Sequence, residues 1–499
     1  MNMKTPPKWL FSARCLLVTG GLAILLSGVS PFAVQAADPA NPPPLPGKEA
    51  SSDAPKVSVP EVTEDQVKQA LQSMGAPTTD AVPLSMNSIV LFALSDNPDV
   101  RMALAREDQA QATTNKARSK FYPLIDLVAE GGREYNNPAG GVIDGGHTNW
   151  SRRYTATARQ LVYDWDQTKS GLRQQKQLQQ SAALDTQVNI ENTLTDSIQY
   201  YLQIMEFQQS MRDTTAFLVR MRELTKTVAD THEAGATSKA TLDYAKSRLA
   251  SAESDLNTAR SSYNDALSNL EYLTGKLPPF TAQPPEELDP TRLDLNGYMQ
   301  VAEAKNTGVQ LSQSDLKALA HKLKAAKRAS YPTVNFLITG EQTYADGGET
   351  AFKDNVEGIL QVNYRLFDGH ERKEQVNLVR AQISELEINQ EKISKDLRKQ
   401  IKLAYNQIAS TQEAIKQARN EITSSEALQS LNRENFDQGA ISIIELIEGE
   451  ERLNFARNKL HTLESSLYLD TYRLMITSGL MQKGFFCDSC GVDPKDAAS

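Results

Sequence analysis

The sequence predicts a mainly α-helical fold made of two internal repeats, each setting a pair of long β-strands between its helices. Three observations carry that expectation. One stretch of alternating apolar and polar residues occurs twice, matching residues keep a near-constant spacing, and two very long helical runs contain no proline.

The alternating stretch runs from Tyr331 to Glu371. Its first strand puts Val334, Phe336, Ile338 and Gly340 on one face, with Asn335, Thr339 and Glu341 on or near the other. Its second alternates Val356, Gly358, Leu360, Val362, Tyr364 and Leu366 with Glu357, Gln361, Asn363 and Arg365. An apolar face opposite a polar face at period two is what a half-buried strand needs. A tilted strand of about ten residues can also cross a bilayer, and a strand of a soluble sandwich gives the same pattern.

Tyr122-Pro123 and the residues after it match Tyr331-Pro332 and theirs at an offset of 209. The offset already holds upstream, where Leu84 matches Leu293, Asn97 matches Asn306 and Val100 matches Val309. Beyond the strands it becomes 204: Tyr163-Asp164 matches Phe367-Asp368, Gly235 matches Gly439, Leu242 matches Leu446, Arg248 matches Arg452 and Gly275 matches Gly479. Each inserted residue turns a helical face by about 100°, so a fixed offset means matched helices. The one change falls between the strands, where an exposed loop tolerates length variation. The chain is therefore read as an internal duplication.

Over 499 residues the chain is 40% hydrophobic, 7% aromatic and 23% charged, with net charge −9. So few aromatics leave a compact core thin, and the surplus of Gln, Asn, Ser, Thr, Ala and Glu suits long helices with narrow apolar stripes. The acidity, and the lack of a basic patch interleaved with aromatics, argue against a nucleic-acid partner. Lys4, Lys8 and Arg14 precede an apolar run over 15–29, and Val34-Gln35-Ala36 stands before Ala37, the form of a secretory signal peptide over 1–36. No Cys lies just after that run, where lipoprotein processing needs one. Residues 37–83 read as a proline-rich linker and a short N-terminal helix.

Repeat 1 is expected over 84–275, with strands near 123–135 and 152–163, a long helix near 165–232 and a returning helix near 238–275. Five prolines make 276–290 a linker between the repeats. Repeat 2 is expected over 291–480, with strands near 332–344 and 355–367, a long helix near 371–436 and a returning helix near 442–479; 481–499 form a tail. At 1.5 Å per residue each long helix is a rod roughly 100 Å long, which fits a coiled coil or a tube. Gly235 and Gly439 stand at the sharp turns, where glycine takes the left-handed conformation freely.

This order, with Tyr331-Pro332 and its strand, the run Arg365-Leu366-Phe367-Asp368-Gly369, and the run from Gln438-Gly439-Ala440 to Glu445-Leu446, resembles the TolC family of outer-membrane efflux and type I secretion channel proteins. The likeness covers about 84–480. It implies a homotrimer whose chains each give four strands to one barrel of about twelve, in the outer membrane of a Gram-negative bacterium, above a periplasmic α-helical tunnel. It further implies a passive exit duct fed by an inner-membrane ABC or RND transporter through a periplasmic adaptor protein, with no cofactor. Physics agrees in part: two hairpins cannot close a barrel, and open strand edges are not viable in lipid. The competing expectation is a periplasmic coiled-coil structural or adaptor protein without a membrane barrel, which leaves the symmetric strands unexplained.

No catalytic or metal-binding constellation is expected. His147, His232, His321, His370 and His461 lack helical metal-ligand spacing with one another and read as surface or loop residues, and no phosphate loop, nucleophile elbow or dinucleotide fingerprint occurs. Cys487 and Cys490 form a CxxC for which a small structural disulfide is the leading reading in an oxidising compartment. A zinc site lacks two further ligands, and a thioredoxin-like role lacks its fold context. Glu445 and Glu448, three apart, share a helical face. Spacing alone makes them a solvated pair; the resemblance makes them the ring of carboxylates at the periplasmic entrance, where the family has aspartates. Ile441 and Phe436 stand where the family has an arginine and a tyrosine, so its polar latch is not carried over. Glu450 and Glu451, further along, are expected to turn to other faces.

Overall fold

The computed structural model describes residues 82–136, 147–345, 352–438 and 440–481. The expected signal peptide, nearly all of the N-terminal linker, the loops between paired strands, Gly439, Cys487 and Cys490 lie outside the described residues.

A short strand β1 (Val82–Leu84) leads into α1 (Met86–Asp96) and α2 (Pro98–Ser119). Ser85 caps α1 by accepting the Ser88 amide at 3.3 Å. Asn97 closes α1 and caps α2, its side-chain oxygen accepting the Asp99 amide at 2.7 Å, while Pro98 fills the first helical position, where no N–H is needed. Strands β2 (Leu124–Asn136) and β3 (His147–Tyr163) follow, then α3 (Gln167–Glu233) and the returning α4 (Lys239–Thr274). After β4 (Phe280–Ala282) and a single 3₁₀ turn come α5 (Leu295–Lys305) and α6 (Thr307–Arg328), β5 (Thr333–Ala345) and β6 (Phe352–Asn363), then α7 (Glu371–Asp437) and α8 (Ile443–Thr477). Between α5 and α6, Asn306 does what Asn97 does, accepting the Val309 amide at 3.1 Å. Helices α3 and α7 each have 67 residues. Each follows a residue in the left-handed conformation, Asp166 (φ 67°) and His370 (φ 72°), which turns the chain sharply from strand to rod.

Strands β2, β3, β5 and β6 form one antiparallel sheet in that order. The two hairpins are joined within the chain by β3 and β5, whose register runs from Ser151↔Ala345 to Tyr163↔Val334 with one irregularity at Leu161/Tyr163. Their outer neighbours β2 and β6 keep free edges. The strand expected to reach 367 stops at Asn363, because Asn363 pairs with Thr333, the first residue of β5.

Register assigns the faces. One carries Ile125, Leu127 and Ala129, then Ala156 and Ala158, then Val334, Phe336 and Ile338, then Val356, Leu360 and Val362. The other carries Asp126, Glu130, Arg153, Thr157, Asn335, Thr339, Glu341, Glu357, Gln361 and Asn363. On this polar face Arg153 lies 3.4 Å from Glu130 and 3.5 Å from Glu341, so three strands share one ion cluster.

Helix α3 is the spine, lying along α2, α4, α6 and α8, while α7 lies along α6 and α8. Its buried residues divide between two cores. The larger gathers Ile198, Tyr201 and Leu202 with Leu84, Ile89, Leu270, Phe280, Tyr298, Ile401 and Tyr472. The smaller, nearer the helical turns, gathers Phe217, Leu218, Met221 and Val228 with Ala245, Leu256, Ile443, Leu446 and Ile447.

The segment expected as a plain linker supplies β4, which pairs in parallel with β1. The Tyr201 hydroxyl ties the two strands together: it lies 2.8 Å from the Leu84 carbonyl and accepts the Gln283 amide at 2.8 Å. Burial pushes its pKa up to about 12. Gln208 also bonds this strand pair, donating to Phe280 O at 2.9 Å and accepting from Ala282 N at 3.0 Å.

Candidate functional site

The sequence places its candidate residues at the two sharp turns and the start of α8. Helix α3 ends in a Schellman arrangement: Gly235 takes φ 75°, its amide donates to His232 O at 2.9 Å, and Ala236 N donates to Thr231 O at 2.9 Å. Glycine reaches that conformation without a Cβ penalty. In the second hairpin Ala440 N donates to Asn435 O at 2.8 Å. Phe436 packs on the smaller core, a use for its ring that needs no hydroxyl.

Ser442 caps α8, accepting the Glu445 amide at 3.4 Å and donating to Glu445 Oε1 at 3.3 Å. Glu445 thus sits in the first turn, where the helix dipole favours an anion. Glu448 is exposed one turn on, and Tyr244 of α4 donates to its Oε1 at 3.4 Å. The Arg248 guanidinium lies over the Tyr244 ring at 5.0 Å and 3.6 Å from Glu451 Oε1. Burial raises the Glu451 pKa, Arg248 opposes the shift and Glu448 adds to it. Glu445 and Glu448 are both exposed near the turn, and Glu448 is engaged across the two hairpins.

Glu450 turns away from Glu445 and Glu448 onto a buried face. It is 3% exposed, with Arg220 Nε of α3 at 2.7 Å from Oε2 and Arg433 of α7 at 3.9 Å from Oε1. The physical reason is the neighbour: helical spacing fixes the direction of the side chain, and α3 fills that direction. One residue earlier, Gly449 lets Gln429 lie close over α8 and donate to Leu446 O at 3.2 Å; a Cβ there would meet Gln429 Oε1 at 2.1 Å.

Further from the turn, His461 is not a surface residue either. Its Nε2 lies 2.8 Å from Asp213 Oδ2 across the α3–α8 seam. That hydrogen bond holds the Asp213 carboxyl below the usual range, with burial opposing. Thr462 donates to Glu206 at 2.7 Å, and Arg473 donates to Gln199 at 2.7 Å along the same seam. These pairings, all between residues some 230 to 274 apart in sequence, are what the sequence reading missed.

Among the described residues no group of three or more His, Cys, Asp or Glu could hold a metal ion, and no helix is long and apolar enough to cross a membrane.

The pattern of the family described as outer membrane efflux protein matches residues 92–276 and 298–479. No curated protein matches the chain. Among solved structures, the CmeC outer membrane channel of Campylobacter jejuni is similar at TM-score 0.72 and 16% identity, over 82% of this chain and 91% of that one. VceC of Vibrio cholerae is similar at TM-score 0.68 and 15% identity, over 79% and 96%. CusC, in a structure describing transmembrane channel formation, is similar at TM-score 0.70 and 16% identity, over 80% and 93%. At these identities the likeness shows a shared fold.

Proposed function

This chain belongs to the outer membrane efflux protein family, and from that membership we propose that it is the passive exit duct of a tripartite exporter. The family is one of outer-membrane channels rather than enzymes. In our reading three copies close one barrel of twelve strands, and the paired rods α3/α4 and α7/α8 line a tunnel reaching into the periplasm. An inner-membrane ABC or RND transporter delivers its substrate through a periplasmic adaptor protein. The chain is read as two repeats of one unit.

The observation that carries this reading is the four-stranded sheet. It has one mostly apolar and one mostly polar face, and both its edges are free. A sheet in lipid must satisfy every backbone group internally, which an open edge cannot do. Four strands are too few to close on themselves, whereas three copies joining β2 to a neighbour's β6 give a barrel with no edge. The apolar face then meets lipid, and the ion cluster of Arg153, Glu130 and Glu341 meets the water-filled interior. A purely periplasmic coiled coil has no use for such a sheet.

Glu445 and Glu448 are proposed to ring the entrance, with three copies giving six carboxylates that attract cations. Membrane fractionation and light scattering in mild detergent test the whole reading. The expected result is an outer-membrane protein with the mass of three chains; a monomer, or a protein soluble without detergent, sinks it.

A further inference from the structure

Neighbouring arginines on β3 live in opposite surroundings. Arg153, on the polar face, is neutralised by Glu130 and Glu341. Arg152 points to the apolar side, is exposed, and has no ion pair among the described residues. Arg133 joins it there, because the register pairs Arg133 with Trp150 and Gly131 with Arg152. The two arginines are thus diagonal neighbours on one face, roughly 7–8 Å apart and within reach of each other's long side chains. The described acid on that face near this level is Asp354, which pairs with Gln342 on the far side of β5.

Aromatic residues frame the pair. The Arg133 guanidinium lies 5.2 Å from the centre of the Trp150 ring, and Tyr154 meets Tyr344 edge-on at 6.4 Å. At the other end of the sheet Trp165 contacts Tyr163 at 5.0 Å and Tyr331 at 5.3 Å. At about 3.3 Å per residue and a tilt near 40°, Tyr331 and Tyr344 stand roughly 33 Å apart along the membrane normal. That matches a hydrocarbon core of about 30 Å, bounded by amphipathic rings at both interfaces. Between the two rings the face is mostly apolar, with Gln342 and Asp354 just inside the upper ring and Gln160 towards the lower. Arg133 and Arg152 therefore sit at headgroup height, on the side turned away from the helical tunnel.

We propose that Arg133 and Arg152, framed by Trp150, Tyr154 and Tyr344, form a binding site for the phosphate of an anionic lipid in the outer leaflet. Two guanidinium forks at this spacing can converge on one phosphate with charge-assisted hydrogen bonds, and the aromatic rings take the first carbons of the acyl chains. The occupant is a phosphorylated lipid rather than free phosphate, because the site opens onto the apolar band where acyl chains lie. The inference rests on the reading of that face as lipid-facing.

The test uses the full-length channel purified in mild detergent and titrated with diphosphoryl lipid A, binding being read by native mass spectrometry. The double variant Arg133→Gln/Arg152→Gln should weaken binding about tenfold or more. Arg153→Gln, at the same height on the opposite face, should leave it unchanged. Equal binding by wild type and double variant overturns the site, as does loss of the lipid to millimolar inorganic phosphate.

A second measurement separates the site from the face. With Trp165→Phe, Trp150 is the sole tryptophan left once the expected signal is removed. Brominated acyl chains in reconstituted vesicles should quench it. No quenching removes the lipid-facing reading and the site with it, whereas quenching without arginine-dependent lipid binding removes the site alone.

Discussion

Glu450 and Arg220 meet across the α3–α8 seam at 2.7 Å, the carboxylate almost wholly buried and the guanidinium about one-quarter exposed. A pair of this kind adds little over well-packed apolar residues, yet removing one partner leaves a charge without compensation. Arg220→Ala, which strands the buried carboxylate, is expected to cost about 3 kcal/mol, read as a lower thermal midpoint in detergent. Glu450→Met with Arg220→Met should recover most of the loss. A single variant as stable as wild type would show the pair to be incidental.

The sheet faces make a paired test. Arg in place of Leu360, at mid-height on the apolar face, should cost about 2–4 kcal/mol and reduce assembled oligomer on semi-native gels. Arg in place of Asn363, which the register puts on the polar face, should assemble normally. Equal outcomes would show that the faces are not lipid and water.

At the entrance, Glu445→Gln/Glu448→Gln should weaken cation selectivity and block by multivalent cations in planar bilayers, with oligomer yield unchanged. Glu450 and Glu451 are unsuitable controls, since the first is buried in an ion pair and the second is ion-paired to Arg248. Asp265→Asn, an exposed carboxylate on α4, serves instead. Unchanged selectivity would leave Glu445 as a helix cap and Glu448 as a partner of Tyr244.

The Asp213–His461 contact gives a pH signature. The folded pKa of Asp213 is lowered, so its contribution is fully present above the unfolded value of about 3.9 and is lost as pH falls through the folded value. The difference in melting temperature between wild type and Asp213→Asn should hold near neutrality and shrink only below about pH 4. A gap that closes already between pH 7 and 5 would assign the linkage to another group.

Tyr201→Phe removes one hydroxyl and leaves the Leu84 carbonyl and the Gln283 amide with only their long mutual bond of 3.4 Å. The expected loss is about 1–3 kcal/mol by thermal unfolding, with exchange of the Gln283 amide accelerated. Protection unchanged at Gln283 would mean that the strand pair holds without it.

The mainly helical class was legible because proline-free runs with three- and four-residue apolar steps leave little else to form. Local chemistry was legible too: Asn97 and Asn306 announce helix breaks, and alternation at Val334, Phe336 and Ile338 sorts the strand faces. What stayed hidden depends on partners distant in sequence. Strands of three residues such as Val82–Leu84 and Phe280–Ala282 carry no periodic signal, and each exists because the other lies beside it. Pairing of β3 with β5 joins segments that no turn connects. Glu450 and His461 look like solvated helix residues until α3, more than 200 positions away, is laid against them.

The free edges of β2 and β6 bear on how the protein is made. If three copies share one barrel, as proposed, the strands of a single copy leave open edges in a bilayer until two others join them. Insertion then depends steeply on how many copies are present at once, and one faulty edge spoils two sound partners. Were half the copies edge-defective and mixing random, about one ring in eight would close intact. Such a variant would act dominantly, silencing a channel whose own gene is undamaged.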